Sequence, residues 1–221
     1  MSSNSSSFQK RQFSALDHFL FNIDTGVRTF FGTPEVTERI NPADTQPEGD
    51  MSDAEKQLAG RLMRINHAGE VSAQGLYQGQ ALTAKLPEIR QQMERAAQEE
   101  NDHLNWCENR CKELGTHTSY LSPFWYLGSL TMGAIAGKVG DKWSLGFVSE
   151  TEHQVVHHLV SHLAQLSPDD HKSRAILGQM KEDELHHAVI AENAGAANLP
   201  AAVKLAMKIT SKVMTRGAYY L

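Results

Sequence analysis

The sequence is short of cysteine, of long apolar runs and of basic charge, and each shortage excludes a class of protein. Cys107 and Cys111 are the only cysteines in 221 residues, which excludes a disulfide framework and suits a reducing compartment. A run of about 20 apolar residues would be needed to span a bilayer, and none occurs. We therefore expect neither a membrane-spanning helix nor a secretory signal. The net charge of −5 argues against a nucleic-acid partner.

Strand-like alternation of polar and apolar residues is also missing, whereas helix signals run through most of the chain. Ser52 and Glu55 match a capping box, and Gly115 and Gly195 suit helix ends. The Ser-Pro-Asp-Asp stretch at 167–170 suits the start of another helix. The sequence therefore predicts an all-α fold with four principal helices and a fifth shorter one, over residues 53–84, 88–114, 142–166, 168–195 and about 201–215.

The first 50 residues differ in composition from the rest. Apolar residues recur at helical spacing in "SALDHFLFNIDTGVRTFFG", which predicts an amphipathic helix ending at Gly32. The following "TPEVTERINPADTQPEGDM" holds three prolines and many polar residues, which is typical of an extended linker. We therefore divide the chain into an N-terminal helix and linker, residues 1–50, and a helical bundle domain, residues 51–221.

An apolar, glycine-rich segment from Pro123 to Gly137 connects the second and third helices of the predicted bundle. It is too short and too often interrupted to cross a membrane. Two interpretations stay open at this point. The segment lies in a membrane interface, with Trp125, Tyr126 and Trp143 at the headgroups, or it is a buried connecting helix.

Acidic and histidine side chains fall on the apolar stripes of these helices. In the second helix the stripe through Met93 and Cys107 takes in Glu100 and His103, so both are expected to face the core. Cys107 itself is expected to be a small buried side chain rather than a metal ligand.

The fourth helix repeats this pair. Its most apolar stripe takes in Glu184 and His187, whereas Asp183 and His186 form an alternative pair at the same spacing on another face. We favour Glu184 and His187, because more apolar residues share their stripe.

Single glutamates on the first and third helices complete the pattern. Glu152 lies on the core stripe of the third helix, whereas Glu150 points nearly opposite. Four histidines of that helix are candidates to support ligands or to lie on the surface: His153, His157, His158 and His162. Glu70 lies on a stripe of small residues on the first helix, where three glycines indicate close packing or room for a ligand: Gly69, Gly75 and Gly79.

Together these residues form an internal repeat, in which a glutamate is followed 30 or 32 residues later by Glu-x-x-His. Its two copies are Glu70 with Glu100 and His103, and Glu152 with Glu184 and His187. The repeat matches the ligand pattern of ferritin-like di-metal four-helix bundles. Each unpaired buried charge would cost several kcal/mol, so two divalent cations are expected to neutralise the four carboxylates. A ligand set rich in oxygen and without thiolates favours iron or manganese over zinc.

Four segments of the chain resemble those of a known family: "RINHAGEVSAQGLYQGQ", "EENDHLNWC", "SETEHQVVHHL" and "MKEDELHHAVIAENAGAANLP". The family is that of the demethoxyubiquinol hydroxylases of ubiquinone biosynthesis, and the resemblance covers about residues 51–220. It implies two iron ions per chain, held by the same six side chains, with Glu100 and Glu152 as candidates to bridge them. It also implies that the protein is an O2-dependent monooxygenase acting on the ring of a polyprenylated methoxy-benzoquinol.

A substrate of this kind would be dissolved in a membrane. The resemblance therefore favours the interfacial interpretation of residues 123–137, and it implies a peripheral protein on the cytoplasmic side of the cell membrane. An oligomer or a biosynthetic complex stays open. The alternatives are other proteins on the same scaffold, namely a tRNA hydroxylase, a rubrerythrin-like peroxidase or an iron-storage protein. The tRNA hydroxylase would need a basic surface, which the net charge does not indicate.

Overall fold

The computed structural model describes residues 36–37 and 39–221, whose regular structure is entirely helical. A short 3-10 helix, Pro42–Thr45, precedes six α-helices: α1 Asp53–Thr83, α2 Pro87–Glu113, α3 Ser122–Val139, α4 Asp141–Gln165, α5 His171–Asn193 and α6 Ala201–Tyr220. The all-α prediction is confirmed, and the five predicted bundle helices correspond to α1, α2, α4, α5 and α6. The predicted N-terminal amphipathic helix lies outside the described residues.

The ends of the helices follow the local signals in the sequence. Ser52 and Glu55 form the capping box of α1, since the Ser52 amide donates to Glu55 Oε2 at 2.8 Å and the Glu55 amide donates to Ser52 Oγ at 3.4 Å. Gly115 and Gly195 follow α2 and α5 with φ angles of +68° and +95°. A residue with a β-carbon is strained at such angles, which is why glycine ends these helices.

Helix α5 begins three residues later than predicted. It starts at His171 rather than at residue 168, because Asp170 is its N-cap. The Asp170 carboxylate accepts a hydrogen bond from the Ser173 amide at 3.0 Å and so satisfies one of the free N–H groups of the first turn. Of the adjacent residues Asp169 and Asp170, it is therefore the second that caps the helix.

Helix α1 packs against both α2 and α3, while α4 packs mainly against α5. The main apolar core lies between α1, α2, α4 and α5, and its largest buried side chains include Leu62, Met63, Trp106, Leu159, Ile176, Leu177 and Met180. Each such side chain contributes about 1.5–3 kcal/mol when it leaves water. Burying these stripes carries the acidic and histidine side chains of the same stripes to the centre of the four helices.

Glycines bring α1 and α3 into backbone contact. A β-carbon on Gly75 or Gly79 would overlap a carbonyl oxygen of α3, and one on Gly133 would overlap a carbonyl oxygen of α1. The prediction of close packing is therefore confirmed for Gly75 and Gly79. Gly69 differs, because outside the adjacent helix backbone no heavy atom of residues 36–37 and 39–221 lies within 4 Å of its β-carbon position. The residue lines a cavity instead.

Helix α3 contains the apolar segment 123–137 and has two different faces. Tyr126, Ser129 and Ala136 are buried against the bundle, so the segment is a connecting helix. The opposite face presents apolar side chains to solvent: Phe124, Leu127, Ile135 and Val139. No helix in the described part of the chain combines the length and apolar character needed to cross a bilayer.

The described part of the linker is attached to the bundle. Glu48 accepts from the buried guanidinium of Arg110 at 2.9 Å, and the same guanidinium donates to Asp170 at 2.9 Å. Upstream, the Thr37 amide donates to Asp102 of α2 at 2.7 Å. The division of the chain near residue 50 stays a prediction.

Candidate metal centre

The structure brings all six predicted side chains together at the centre of the four-helix bundle. Helix α1 contributes Glu70, α4 contributes Glu152, and α2 and α5 each contribute a Glu-x-x-His pair. Their ligand atoms form two groups in which all atoms lie within 4.8 Å of one another: Glu70, Glu100, His103 and Glu184 in the first, and Glu152, Glu184 and His187 in the second. Six side chains far apart in sequence therefore form two adjoining pockets that can hold metal ions.

The two Glu-x-x-His glutamates lie between the two imidazoles. Glu100 has one carboxylate oxygen 2.9 Å from His103 Nδ1 and the other 3.3 Å from His187 Nδ1. Glu184 does the same at 3.3 Å and 3.5 Å. Glu152 belongs to the His187 group only. Glu184 is the side chain that belongs to both groups, whereas Glu100 belongs to the His103 group and approaches His187 with its second oxygen. The family resemblance named Glu100 and Glu152 as the candidates to bridge, and that assignment stays a prediction.

Burial and mutual repulsion shift the protonation of this cluster strongly. Burial raises the pKa of Glu70 and of Glu152 well above the usual range, and the charges of neighbouring glutamates raise it further. Burial also opposes ionisation of Glu100, but the facing imidazoles outweigh it and hold the pKa of that carboxyl well below its usual range. The surrounding carboxylates likewise overcome burial and raise the pKa of both His103 and His187.

These opposite shifts of the carboxyl and imidazole pKa values indicate that the buried carboxylates need positive charge nearby, supplied by protons or by cations. Three of its atoms are buried and have no partner in hydrogen-bond geometry among the described residues, although His187 Nδ1 lies 3.3 Å and 3.5 Å from the other two: Glu100 Oε1, Glu184 Oε2 and His187 Nδ1. A buried polar atom without a partner is costly, and these three are of the types that bind first-row divalent metals. The donor set therefore fits two metal ions with mostly oxygen ligands.

Each histidine is held by a carboxylate from the opposite helix. His103 Nε2 lies 2.9 Å from Asp183 Oδ2, and His187 Nε2 lies 2.7 Å from Glu99 Oε2. These bonds leave Nδ1 of each ring directed at the cluster, as in the carboxylate–histidine–metal arrangements of metalloproteins. Asp183 is therefore placed beside the cluster as the partner of His103, and Glu184 occupies the central position that the stripe favoured.

Residues of the linker contact Asp183 and the neighbouring Asp102. Arg39 forms an ion pair with Asp183, and its guanidinium stacks 5.0 Å from the ring centre of Trp106. Thr37 binds Asp102, the residue directly before His103 in sequence, through both its amide and its hydroxyl. Arg39 of the linker thus holds the carboxylate that orients His103, a role that no local sequence pattern predicted.

Tyr77 adds a second contact that the sequence did not reveal. It is fully buried on α1, and its hydroxyl donates a hydrogen bond to Glu152 Oε1. Burial and the nearby carboxylates raise the pKa of Tyr77 well above its usual range, so the phenol keeps its proton. The tyrosine therefore orients the one central carboxylate that comes from α4.

In the part of the chain that the structure describes, the histidines of α4 and the two cysteines belong to neither ligand group. His153 binds Glu192, His158 binds Ser211, and His162 binds Asn66. Cys107 and Cys111 are free, buried thiols, as predicted, and Cys107 lies 3.7 Å from the sulfur of Met180.

An apolar cavity of about 290 Å³ reaches the cluster between α1, α3, α4 and α6. Glu70 lines it from α1, and most of the surface of its wall is apolar, although serine, threonine, asparagine, glutamine and histidine side chains also line it. The solvent-exposed members of its lining lie on α3 and α6: Phe124, Gly128, Met132 and Thr210. The cavity therefore opens between these two helices and leads inward to a carboxylate of the candidate metal centre.

A helical bundle that buries four carboxylates and two imidazoles at its centre belongs to the ferritin-like class of metal-binding carboxylate proteins. Within that class, the sequence matches one particular family. The pattern of the family described as ubiquinone biosynthesis protein COQ7 matches residues 57–218, and the chain belongs to this family.

Relatives of the chain are similar along almost their whole length. A 3-demethoxyubiquinol 3-hydroxylase of Nitrosococcus oceani is 59% identical over 211 residues, which covers 96% of this chain and 99% of the relative. Proteins of the same name from Pseudomonas syringae and Pseudomonas fluorescens are 54% and 52% identical, each over 95% of this chain and 98% of the relative. The family predicted from the four sequence segments is confirmed.

Proposed function

We propose that this protein is a 3-demethoxyubiquinol 3-hydroxylase, which adds an oxygen atom from O2 to the ring of a polyprenylated methoxy-benzoquinol. One observation carries the proposal: an apolar cavity leads to Glu70 of a buried cluster of four glutamates and two histidines. The names of the relatives supply the reaction and favour it over iron storage, peroxide reduction or tRNA hydroxylation.

We further propose that Glu70, Glu100, His103, Glu152, Glu184 and His187 hold two iron ions. The oxygen-rich donor set and the three unsatisfied buried atoms support this assignment. When bound, the iron ions supply the redox and Lewis-acid chemistry that reduces O2, which side chains alone cannot perform. One oxygen atom enters a ring C–H bond and the other leaves as water, with two electrons and two protons from an external reductant.

The side chains around the centre orient the ligands and exclude water. Asp183 and Glu99 hold the Nε2 protons of the two histidines, so that each Nδ1 is directed inward. Tyr77 keeps its proton and orients Glu152. The apolar wall of the cavity suits an isoprenoid tail and a ring, and it keeps bulk water from the reacting carbon.

We also propose that the protein binds a membrane surface through α3 and α6. Exposed apolar side chains lie on both helices that flank the cavity opening, among them Leu127 and Ile135 on α3 and Leu205 and Ile209 on α6. Lys208, Lys212 and Arg216 are exposed on α6 and suit the anionic headgroups of the cytoplasmic leaflet. A quinol dissolved in the bilayer would then enter the cavity without crossing water.

The hydroxylation is tested with iron-loaded protein, a demethoxylated benzoquinol, a reductant and isotopically labelled O2. Mass analysis should find one labelled oxygen atom in the product, and elemental analysis should find about two iron atoms per chain. The Glu152→Ala variant should lose most of the iron and the activity. Glu150→Ala is the matched control, because Glu150 faces outward and pairs with Lys204 at 2.9 Å. Equal iron contents in the two variants would contradict the ligand assignment.

Flotation with liposomes that contain anionic lipid tests the membrane surface. Leu127→Glu should reduce the floated fraction, because it places a charge on the exposed apolar face of α3. Leu185→Glu is the control, since Leu185 is 48% exposed on α5, away from the cavity opening. A wild-type protein that stays at the bottom of the gradient would refute membrane binding.

A further inference from the structure

The mainly apolar wall of the cavity contains a buried polar pair that the candidate metal centre does not use. Asn66 of α1 and His162 of α4 both line the cavity and are 6% and 5% exposed. His162 Nδ1 lies 2.8 Å from Asn66 Oδ1. An amide oxygen only accepts hydrogen bonds, so His162 Nδ1 carries the proton and donates it. The tautomer of His162 is therefore fixed by Asn66.

This arrangement leaves one donor and one acceptor without partners. The amide nitrogen of Asn66, Nδ2, is buried and makes no hydrogen bond among the described residues. His162 Nε2 likewise has no hydrogen bond to residues 36–37 or 39–221, and in this tautomer it carries a lone pair. Burial lowers the pKa of His162 to about 4, with a smaller contribution from His158, so the ring is neutral near pH 7 and Nε2 is an acceptor.

Asn66 and His162 also lie close enough to the candidate metal centre for one ring to reach both. Asn66 precedes Glu70 by four residues on α1, which separates them by about 6 Å along the same face of the helix. Both residues line the same cavity. A ring with one substituent at Asn66 and His162 would therefore present its other carbons toward Glu70.

We propose that Asn66 and His162 bind a ring hydroxyl of the substrate and so select the reduced ring over the oxidised one. Asn66 Nδ2 donates to the hydroxyl oxygen, and His162 Nε2 accepts the hydroxyl proton. A quinone has a carbonyl at that position, which can accept from Asn66 but has no proton for His162. This inference rests on the proposed function, because it identifies the ring form that the same cavity binds.

Binding measurements on iron-loaded protein without oxygen test the proposal. The probes are a benzoquinol with one methoxy group and a short isoprenoid tail, and the corresponding quinone, each titrated by calorimetry. The wild-type protein should bind the quinol about tenfold more tightly than the quinone, as expected for one additional hydrogen bond in a buried site. This comparison needs no variant, so it does not depend on the folding of a mutant.

The His162→Asn variant assigns the preference to one atom. Asparagine has an amide nitrogen near the position of Nδ1 and so retains a donor to Asn66, but it has no atom at the position of Nε2. The quinol preference should fall from about tenfold to nearly none, while quinone affinity stays within about twofold. His157→Asn is the matched control, because His157 is exposed on the same helix, and it should keep the preference. Thermal unfolding of each variant verifies that it is folded.

A wild-type protein without a quinol preference would overturn the proposal, and so would a preference that survives in His162→Asn. If the wild type adds oxygen to the quinol but either of these results is found, only this inference fails. If it binds neither ring form and adds no oxygen, the proposed function fails and the inference fails with it.

Discussion

Replacing Gly79 with alanine should destabilise the protein, although alanine is the better helix former. The added β-carbon would overlap the carbonyl oxygen of Leu130 and lie 2.7 Å from the amide nitrogen of Ala134. Both atoms belong to the backbone of α3, so no side-chain rotation can relieve the contact. The whole of α3 would have to move away from α1.

The size of the effect follows from two opposing contributions. Alanine in place of glycine inside a helix gains about 1 kcal/mol. Overpacking a well-filled contact costs about 1–3 kcal/mol, and the upper end applies where backbone atoms collide. The net loss of unfolding free energy is then about 2 kcal/mol. For a domain of this size, that loss lowers the melting temperature by about 4–8 °C.

Gly178→Ala is the matched control for this experiment. Gly178 lies inside α5, and outside the adjacent helix backbone no heavy atom of the described residues lies within 4 Å of the β-carbon that alanine would add. Only the gain in helix propensity remains, so the melting temperature of the Gly178→Ala variant should rise by about 2–4 °C. Thermal unfolding followed by circular dichroism, at equal metal content, measures both variants. A melting temperature that rises equally in both would refute the backbone contact between α1 and α3.

Two further predictions concern the outer layer of the centre and a buried histidine. Asp183→Asn should weaken iron binding by about tenfold to a hundredfold, because the amide holds His103 less firmly. The control is Glu182→Gln at the exposed position before Asp183, and in an iron titration its affinity should match that of the wild type. Equal iron affinities in the wild type and both variants would contradict the role of Asp183. Burial lowers the pKa of His67 from about 6.5 to about 4, so the unfolded chain binds a proton in that range while the folded chain does not. The contribution of neutral His67 to the free energy of unfolding is therefore fully present above pH 6.5, and up to about 3 kcal/mol of it is lost as the pH drops toward 4. Urea unfolding should show a shallower decline in His67→Gln, and an unchanged decline would refute this account.

Helical periodicity made the central residues predictable from the sequence. Glu150 and Glu152 are two positions apart, so one of them must face away from the core when the other faces it. The apolar neighbours of Glu152 decide between them, and the structure buries Glu152 while Glu150 pairs with a surface lysine. The same reasoning separates Glu184 from Asp183. Their role as metal ligands stays a proposal that iron analysis can test.

The supporting contacts had no such local signal. Arg39 binds Asp183 across 144 positions of sequence, and Tyr77 donates to Glu152 across 75. Periodicity relates residues within one helix, whereas these pairs depend on the relative positions of separate elements. Asp183 illustrates the difference, because its own stripe gave no indication that it would hold His103 of another helix.

Local sequence was enough to predict five of the six α-helices in the described residues, the capping box of α1 and the inward direction of six metal-ligand candidates, because these depend on neighbours within a few residues along the chain. The folded structure was needed to show that Glu100 and Glu184 lie between the two imidazoles, that Asp183 and Glu99 hold the histidines, and that a cavity reaches Glu70. These features depend on how closely the helices approach each other and at what angle. That geometry comes from packing over the whole bundle, including the glycine contact of α1 with α3.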